Sequence, residues 1–363
     1  MQKNRTLCYY SDYLQLDKIL SAQAPESLKY GEEAHDETLF IVIHQSYELW
    51  FKQILHEIKS VLDIFSDKAV KDELLTTVVH RLDRVTQIQE LLNQQIGVIE
   101  TMTPQDFMAF RDFLVPASGF QSVQFKMLEI SLGLKSEYRI DFDKQSFYSR
   151  LNKRDQDFLI NLEQQTSLFE VVDDWLARMP FLEFGEFKFW EMYQKATDAM
   201  LDSDIEVINS IDNITDKDRK VQLDGIEVTR EKFAALLDED KYEQFLQQGT
   251  FRLSQKAMLG AVFINLYQDE PVFNLPFQLI RCLTDIDEML TIWRYRHAMM
   301  VQRMLGSKIG TGGSSGHEYL KRTTEKNRVF LDFFHMATFM LPKQNLPALP
   351  ADLKKAMGFH FSS

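Results

Sequence analysis

A chain of 363 residues, 45% of them hydrophobic, has material for one large domain or two ordinary ones and can bury a substantial core, so disorder is excluded. Its net charge of -13, with no long Lys/Arg cluster, sets up a field that repels phosphate backbones and anionic lipid, which argues against nucleic-acid and membrane partners. The two cysteines, Cys8 and Cys282, make neither a disulfide framework nor a thiolate metal site on their own and fit a reducing compartment.

The opening MQKNRTLCYYSDYLQLD has no apolar core of a signal segment, and no later stretch runs about 18 residues without charge. The expectation is a cytoplasmic protein. Glu32 and His35 have the Glu-x-x-His spacing of a di-iron bundle, but that site needs two such pairs and a second is absent. In HDETLFIVIHQSYELWFKQILHE, Phe40 precedes His44 by four residues and shares its helical face. An aromatic ring beside an imidazole can wall a flat pocket; core packing explains the same pair. His56 lacks the second histidine one turn on that a zinc-protease helix needs, because position 60 is serine.

From Leu75 to Ile99 the apolar residues keep a seven-residue repeat. Leu75, Leu82 and Ile96 form one row, broken at Gln89; Val78, Val85, Leu92 and Ile99 form the other. The pattern predicts a long helix packed lengthwise on another helix, or an oligomer seam. Thr103 then caps a helix that begins with Pro104, with Asp106 completing a capping-box-like start. Phe107 and Arg111 share one face of it. Such a pair can clamp a carboxylate while the ring covers an apolar body, although an arginine there is also read as an ordinary surface ion pair.

The segment from Asp202 to Glu243 is more charged, and Asp224-Gly225 between apolar pairs reads as a hairpin-type turn within a surface insertion. Pro276 to Leu305 is a second long amphipathic helix, with Leu279, Leu283, Ile286, Leu290, Trp293 and Val301 at helical spacing and Gly306 placed to end it. His297 lies on that stripe, with Arg294 and Arg296 beside it. It reads either as a satisfied core residue or as the single axial ligand that a haem needs, with the arginines neutralising propionates. Spacing does not choose. GTGGSSG, 310–316, lacks the Gly-Lys-Ser/Thr ending of a phosphate loop and does not follow a strand. Poor strand signals and the absence of an internal repeat predict a single all-α domain over 1–363.

YYSDYLQLDKIL, HDETLFIVIHQSYELWFKQILHE, FRDFLVPASGFQSVQF and WRYRHAMMVQRMLGSKIGTGGSSGHEYL resemble, in this order, the blocks of the tryptophan 2,3-dioxygenase family. The resemblance runs from about Leu7 to Pro342 and is weakest between Asp202 and Glu243. It implies an all-helical homotetramer with one haem b per subunit. It also implies the reaction: both atoms of dioxygen enter across the C2=C3 bond of L-tryptophan to give N-formylkynurenine, the first step of breakdown through kynurenine.

By that resemblance His297 is the proximal iron ligand, and His44 is the distal residue that accepts a hydrogen bond from the indole N–H. Phe40 stacks on the ring. Arg111 binds the substrate carboxylate, and Thr311 in the Gly-rich loop contacts its ammonium and carboxylate. Ser118 and Gly119 line the haem edge. Tyr10, Tyr13 and Leu14 reach into a neighbouring subunit's pocket. Phe107 stands where some relatives carry tyrosine and removes any hydroxyl from that position. The alternatives are a paralogue that oxidises a modified tryptophan or another indole, and a non-catalytic haem or tryptophan sensor.

Overall fold

The computed structural model describes residues 7–66, 72–139, 147–185, 187–306 and 316–358. In chain order they form short helices α1 (Tyr10–Leu14) and α2 (Leu16–Ile19), the long α3 (His35–Phe65) and α4 (Asp72–Ile99), then α5 (Pro104–Arg111) and α6 (Val123–Leu132). After these come α7 (Lys153–Glu163), α8 (Leu168–Leu176), α9 (Phe189–Ser210), α10 (Asp216–Leu237), α11 (Glu239–Gln247) and α12 (Gln255–Leu266). The long α13 (Asn274–Leu305) is followed by α14 (Gly316–Lys326), α15 (Leu331–His335) and α16 (Ala351–Met357). Among the described residues the strands are one antiparallel pair, Glu183–Phe184 with Phe187–Lys188. The all-helical expectation holds.

Three helices position the site. On α4 both predicted rows are buried: Leu75, Leu82 and Ile96, and Val78, Val85, Leu92 and Ile99. They pack against α3 on one side and α13 on the other, which is the lengthwise helix packing the seven-residue spacing implies. Gln89, where the row breaks, is buried too. Tyr47 of α3 donates its hydroxyl to the Leu92 carbonyl at 2.9 Å, pinning the two helices in register. On α13, Leu279, Leu283, Ile286 and Leu290 are buried at helical spacing. The helix stops at Gly306, whose φ of 60° belongs to the left-handed region that glycine enters without a side-chain clash.

The entry to α3 is tied down by a buried carboxylate. Glu37 accepts from the backbone N–H groups of Glu26 at 2.7 Å and Ser27 at 3.0 Å, so the preceding loop is folded onto the first turn. At α5 the predicted capping box is present: Thr103 accepts from the Asp106 N–H, Asp106 accepts from the Thr103 N–H, and Pro104 opens the helix. No helix among the described residues is long and apolar enough to cross a membrane.

One local expectation is corrected. Asp224-Gly225 is not a turn: both residues lie inside α10, and Thr229 donates to the Gly225 carbonyl one turn earlier at 2.9 Å. The period explains why. Leu223, Ile226, Arg230 and Phe233 recur every three or four residues and supply the less exposed face of α10. Arg230 pairs across to Asp198 at 3.2 Å and Asp202 at 2.8 Å on α9, so the charged segment folds as two antiparallel helices. Gly225 then occupies a helix interior where a Cβ would meet nothing within 4 Å. Gly225→Ala is therefore expected to stabilise the protein by about 0.5–1 kcal/mol. The check is a higher denaturant midpoint at unchanged slope; a lower midpoint would restore the turn.

Candidate active site

A cavity of about 330 Å³ opens between α3, α5, α6, α13 and α14 and falls in the range of small-molecule pockets. Its walls are largely apolar: Phe40 and Phe51 from α3, Ile96 and Ile99 from α4, Phe125 from α6, and Trp293, Met300 and Met304 from α13. Polar groups that converge on it include His44, Glu48, Arg111, Ser118, Ser122, Lys126, Glu129, Arg294 and His297. Helical spacing puts them there. Phe40, His44, Glu48 and Phe51 repeat every three or four residues along α3, as do Trp293, His297, Met300 and Met304 along α13.

The two histidines present different surroundings. The His44 ring lies 4.1 Å from the Phe40 ring, and its Nδ1 stands 2.7 Å from the Phe40 carbonyl. A carbonyl only accepts, so Nδ1–H donates and the neutral ring keeps Nε2 as an acceptor. Burial holds the His44 imidazole below its ordinary proton affinity, against the opposing pulls of the Phe40 carbonyl and the Glu48 charge. His44 is nonetheless accessible, because it faces the cavity.

His297 stacks on Trp293, one turn earlier, with ring centroids 5.1 Å apart and planes 8° from parallel. Burial pushes its pKa down to about 4, and the charge of a protonated His44 would push it the same way. It is a neutral imidazole at physiological pH. Its Nδ1 is buried without a hydrogen-bond partner, so no bond at that nitrogen accounts for a histidine at this place. A neutral imidazole at an apolar cavity wall suits a metal centre held by one protein ligand.

The neighbouring arginines are held by partners within the fold, and Arg294 also lines the cavity. Arg294 is buried, pairs with Glu129 at 2.7 Å and donates to the Asn327 carbonyl at 2.8 Å. Arg296 donates to the Asn93 carbonyl and lies 3.8 Å from the Glu100 carboxylate. Both tie α13 to its neighbours. The cavity's other cations, Arg111 and Lys126, come from α5 and α6.

Of the residues singled out from sequence, Phe40, His44, Phe107, Arg111, Ser118, Gly119 and His297 line this one cavity. Phe107 packs against Phe40 with centroids 5.7 Å apart. Ser118 caps the short turn Gly119–Gln121, and a Cβ at Gly119 would meet nothing within 4 Å, so that edge stays open. Tyr10, Tyr13 and Leu14 do not line it; Tyr10 and Tyr13 are 75% and 74% exposed on α1. Thr311 lies outside the described residues. Glu48, Ser122, Lys126 and Glu129 were missed. Glu48 carried a usable signal, since it follows His44 by four residues; the others needed the fold.

With this geometry in place, comparison with known proteins is decisive. A family model described as tryptophan 2,3-dioxygenase matches residues 2–340. The chain belongs to the tryptophan 2,3-dioxygenase family. Among its curated relatives named tryptophan 2,3-dioxygenase, that of Alteromonas mediterranea is 60% identical over 360 residues, covering 99% of each chain. That of Bdellovibrio bacteriovorus is 45% identical over 353 residues, covering 97% of this chain and 98% of its own. The Dictyostelium discoideum protein is 45% identical over 355 residues, covering 98% of this chain and 89% of its own. Family membership thus extends over the whole helical fold and the cavity within it. Among the described residues no group of three or more His, Cys, Asp or Glu side chains is arranged to hold a metal ion.

The low proton affinity of His297 has a consequence for stability. A folded pKa near 4 against an unfolded value of about 6.5 means that the unfolded chain takes up the proton first as pH falls. The stabilisation is complete above about pH 6.5 and is lost on acidification toward about 4. In ligand-free protein, His297→Gln is expected to flatten the fall of unfolding free energy across that window relative to wild type. Parallel curves would contradict it.

Proposed function

We propose that this chain is a haem-dependent dioxygenase that inserts both atoms of dioxygen across the indole C2=C3 bond of L-tryptophan to give N-formylkynurenine. The observation that carries this reading is the pairing of two unlike, neutral histidines, His44 and His297, on one apolar cavity that Arg111 also lines. The reaction is the entry step of tryptophan degradation through kynurenine, and the composition suits a cytoplasmic setting.

His297 is the residue that holds the iron of haem b, and its unpartnered, uncharged ring fits that task. When bound, haem would supply the iron chemistry toward dioxygen. The chain's own work is orientation and exclusion of water. His44 Nε2 accepts the indole N–H, because Nδ1 is already committed to the Phe40 carbonyl. Phe40, backed by Phe107, stacks against the indole. Arg111 takes the substrate carboxylate, where a planar guanidinium gives two parallel bonds. Thr311 contacts the ammonium and carboxylate, and Ser118 and Gly119 lie at the haem edge. Phe107 contributes packing and no proton.

Self-association as a homotetramer completes the reading. Val42 and Leu49 on α3, Leu91 and Val98 on α4, and Tyr295 and Met299 on α13 are exposed apolar side chains on the three longest helices. Tyr10, Tyr13 and Leu14 then reach the pocket of a neighbouring subunit. A single pair of variants tests the two ends of the site. His297→Ala is expected to abolish stable haem binding, whereas Arg111→Leu keeps haem and raises the tryptophan KM by about tenfold or more. A full haem complement with an unchanged spectrum in the first variant, or unchanged kinetics in the second, would remove the corresponding role.

A further inference from the structure

Glu48 lines the cavity but has no role in the function proposed above. It lies one turn beyond His44 on α3. Both its carboxylate oxygens are engaged: Ser122 Oγ donates to Oε1 at 2.6 Å, and Gln124 Nε2 donates to Oε2 at 2.8 Å. Gln124 Nε2 also donates to the main-chain carbonyl of Glu48 at 2.8 Å. The α3 turn just after His44 is thus held by three bonds from one short segment, two of them to a carboxylate and therefore of the stronger kind.

That segment is a wall of the cavity. Ser122 is the N-cap of α6, where its Oγ accepts from the Phe125 N–H at 3.1 Å, so the Glu48 charge also sits at the positive end of a helix. Immediately before it the Ser118–Gln121 turn closes on itself, the Ser118 N–H donating to Gln121 Oε1 at 3.1 Å. Ser122 and Gln124 are 74 and 76 residues from Glu48 in the chain, so local backbone geometry does not set this spacing. Glu48 ties the helix bearing His44 to the segment that directly follows the turn bearing Ser118 and Gly119.

We propose that Glu48 is a positioning residue for the indole, holding His44 at a fixed height against the Ser118–Ser122 wall so that its Nε2 meets the ring N–H. It thereby sets the preference for substrates that carry that N–H. The inference rests on the functional reading above. A carboxylate one turn away also strengthens His44 as an acceptor. His44 approaches an indole correctly only if α3 neither slides nor turns against the opposite wall, and a shift of about 1 Å is enough to lose such a bond.

The test is equilibrium binding to the haem-loaded protein of L-tryptophan and of its benzothiophene analogue, in which sulfur replaces the ring N–H. Glu48→Ala is expected to weaken tryptophan about tenfold or more while changing the analogue less than about threefold, so that discrimination falls. Glu48→Gln keeps an acceptor for Ser122 and restores most of the discrimination. Equal weakening of both ligands, or no weakening of either, would overturn the proposal. Should Glu48→Ala fail to fold or to hold haem, Gln124→Ala removes two of the three bonds and is expected to lower the ratio at least about threefold; an unchanged ratio there overturns it equally. Wild-type protein that binds neither ligand would sink the functional reading itself, whereas normal wild-type binding with an unchanged ratio in the variants sinks Glu48 alone.

Discussion

The site depends on the buried ion pair between Arg294 and Glu129. It lies one turn before His297 and joins α13 to α6 at 2.7 Å, with the Asn327 carbonyl taking a second bond from the same guanidinium. Two charges out of water are stable together only when such extra bonds complete them, and removing either partner would leave the other stranded at a cost of about 3–5 kcal/mol. Pairing of this kind leaves α13 one rotation relative to α6. That rotation turns His297 toward the cavity. Asp287, two turns earlier, accepts from the Val329 N–H at 2.8 Å and from Arg328 Nε at 3.2 Å and fixes the same helix to the segment after α14.

From that frame the chemistry of the two imidazoles follows by environment alone. Both are poor bases because burial penalises their charged forms, so both are neutral donors of a lone pair. They differ in what surrounds them. His44 has its tautomer set by the Phe40 carbonyl and offers one acceptor to the cavity. His297 has no such partner and is backed by an indole ring, which suits it to a metal. In the proposed function one fold thus gives the same side chain two tasks, hydrogen-bond acceptor and iron ligand.

Much of this frame is legible in the sequence because it is periodic. The seven-residue rows of α4, the stripe of α13, its stop at Gly306 and the capping box at Thr103 are local patterns with local causes, and the structure contains all of them. Where a pattern had two readings, packing chose. Asp224-Gly225 resembles a hairpin turn until Arg230 and its acidic partners on α9 make the helix the better use of those residues. The acceptors of the arginines beside His297 lie at Glu129, Asn93 and Asn327, far away in the chain and invisible to spacing. Glu48 escaped for the same reason. Its four-residue offset from His44 was in view, while Ser122 and Gln124, which give it a task, come from another helix.

Mass spectrometry of the product formed when the reduced, haem-loaded protein meets L-tryptophan under isotopically labelled dioxygen tests the central claim most directly. N-formylkynurenine carrying both labelled atoms is the expected result. Haem bound in full while tryptophan is returned unchanged, or a product with label from only one oxygen atom under conditions that prevent exchange with water, would contradict it.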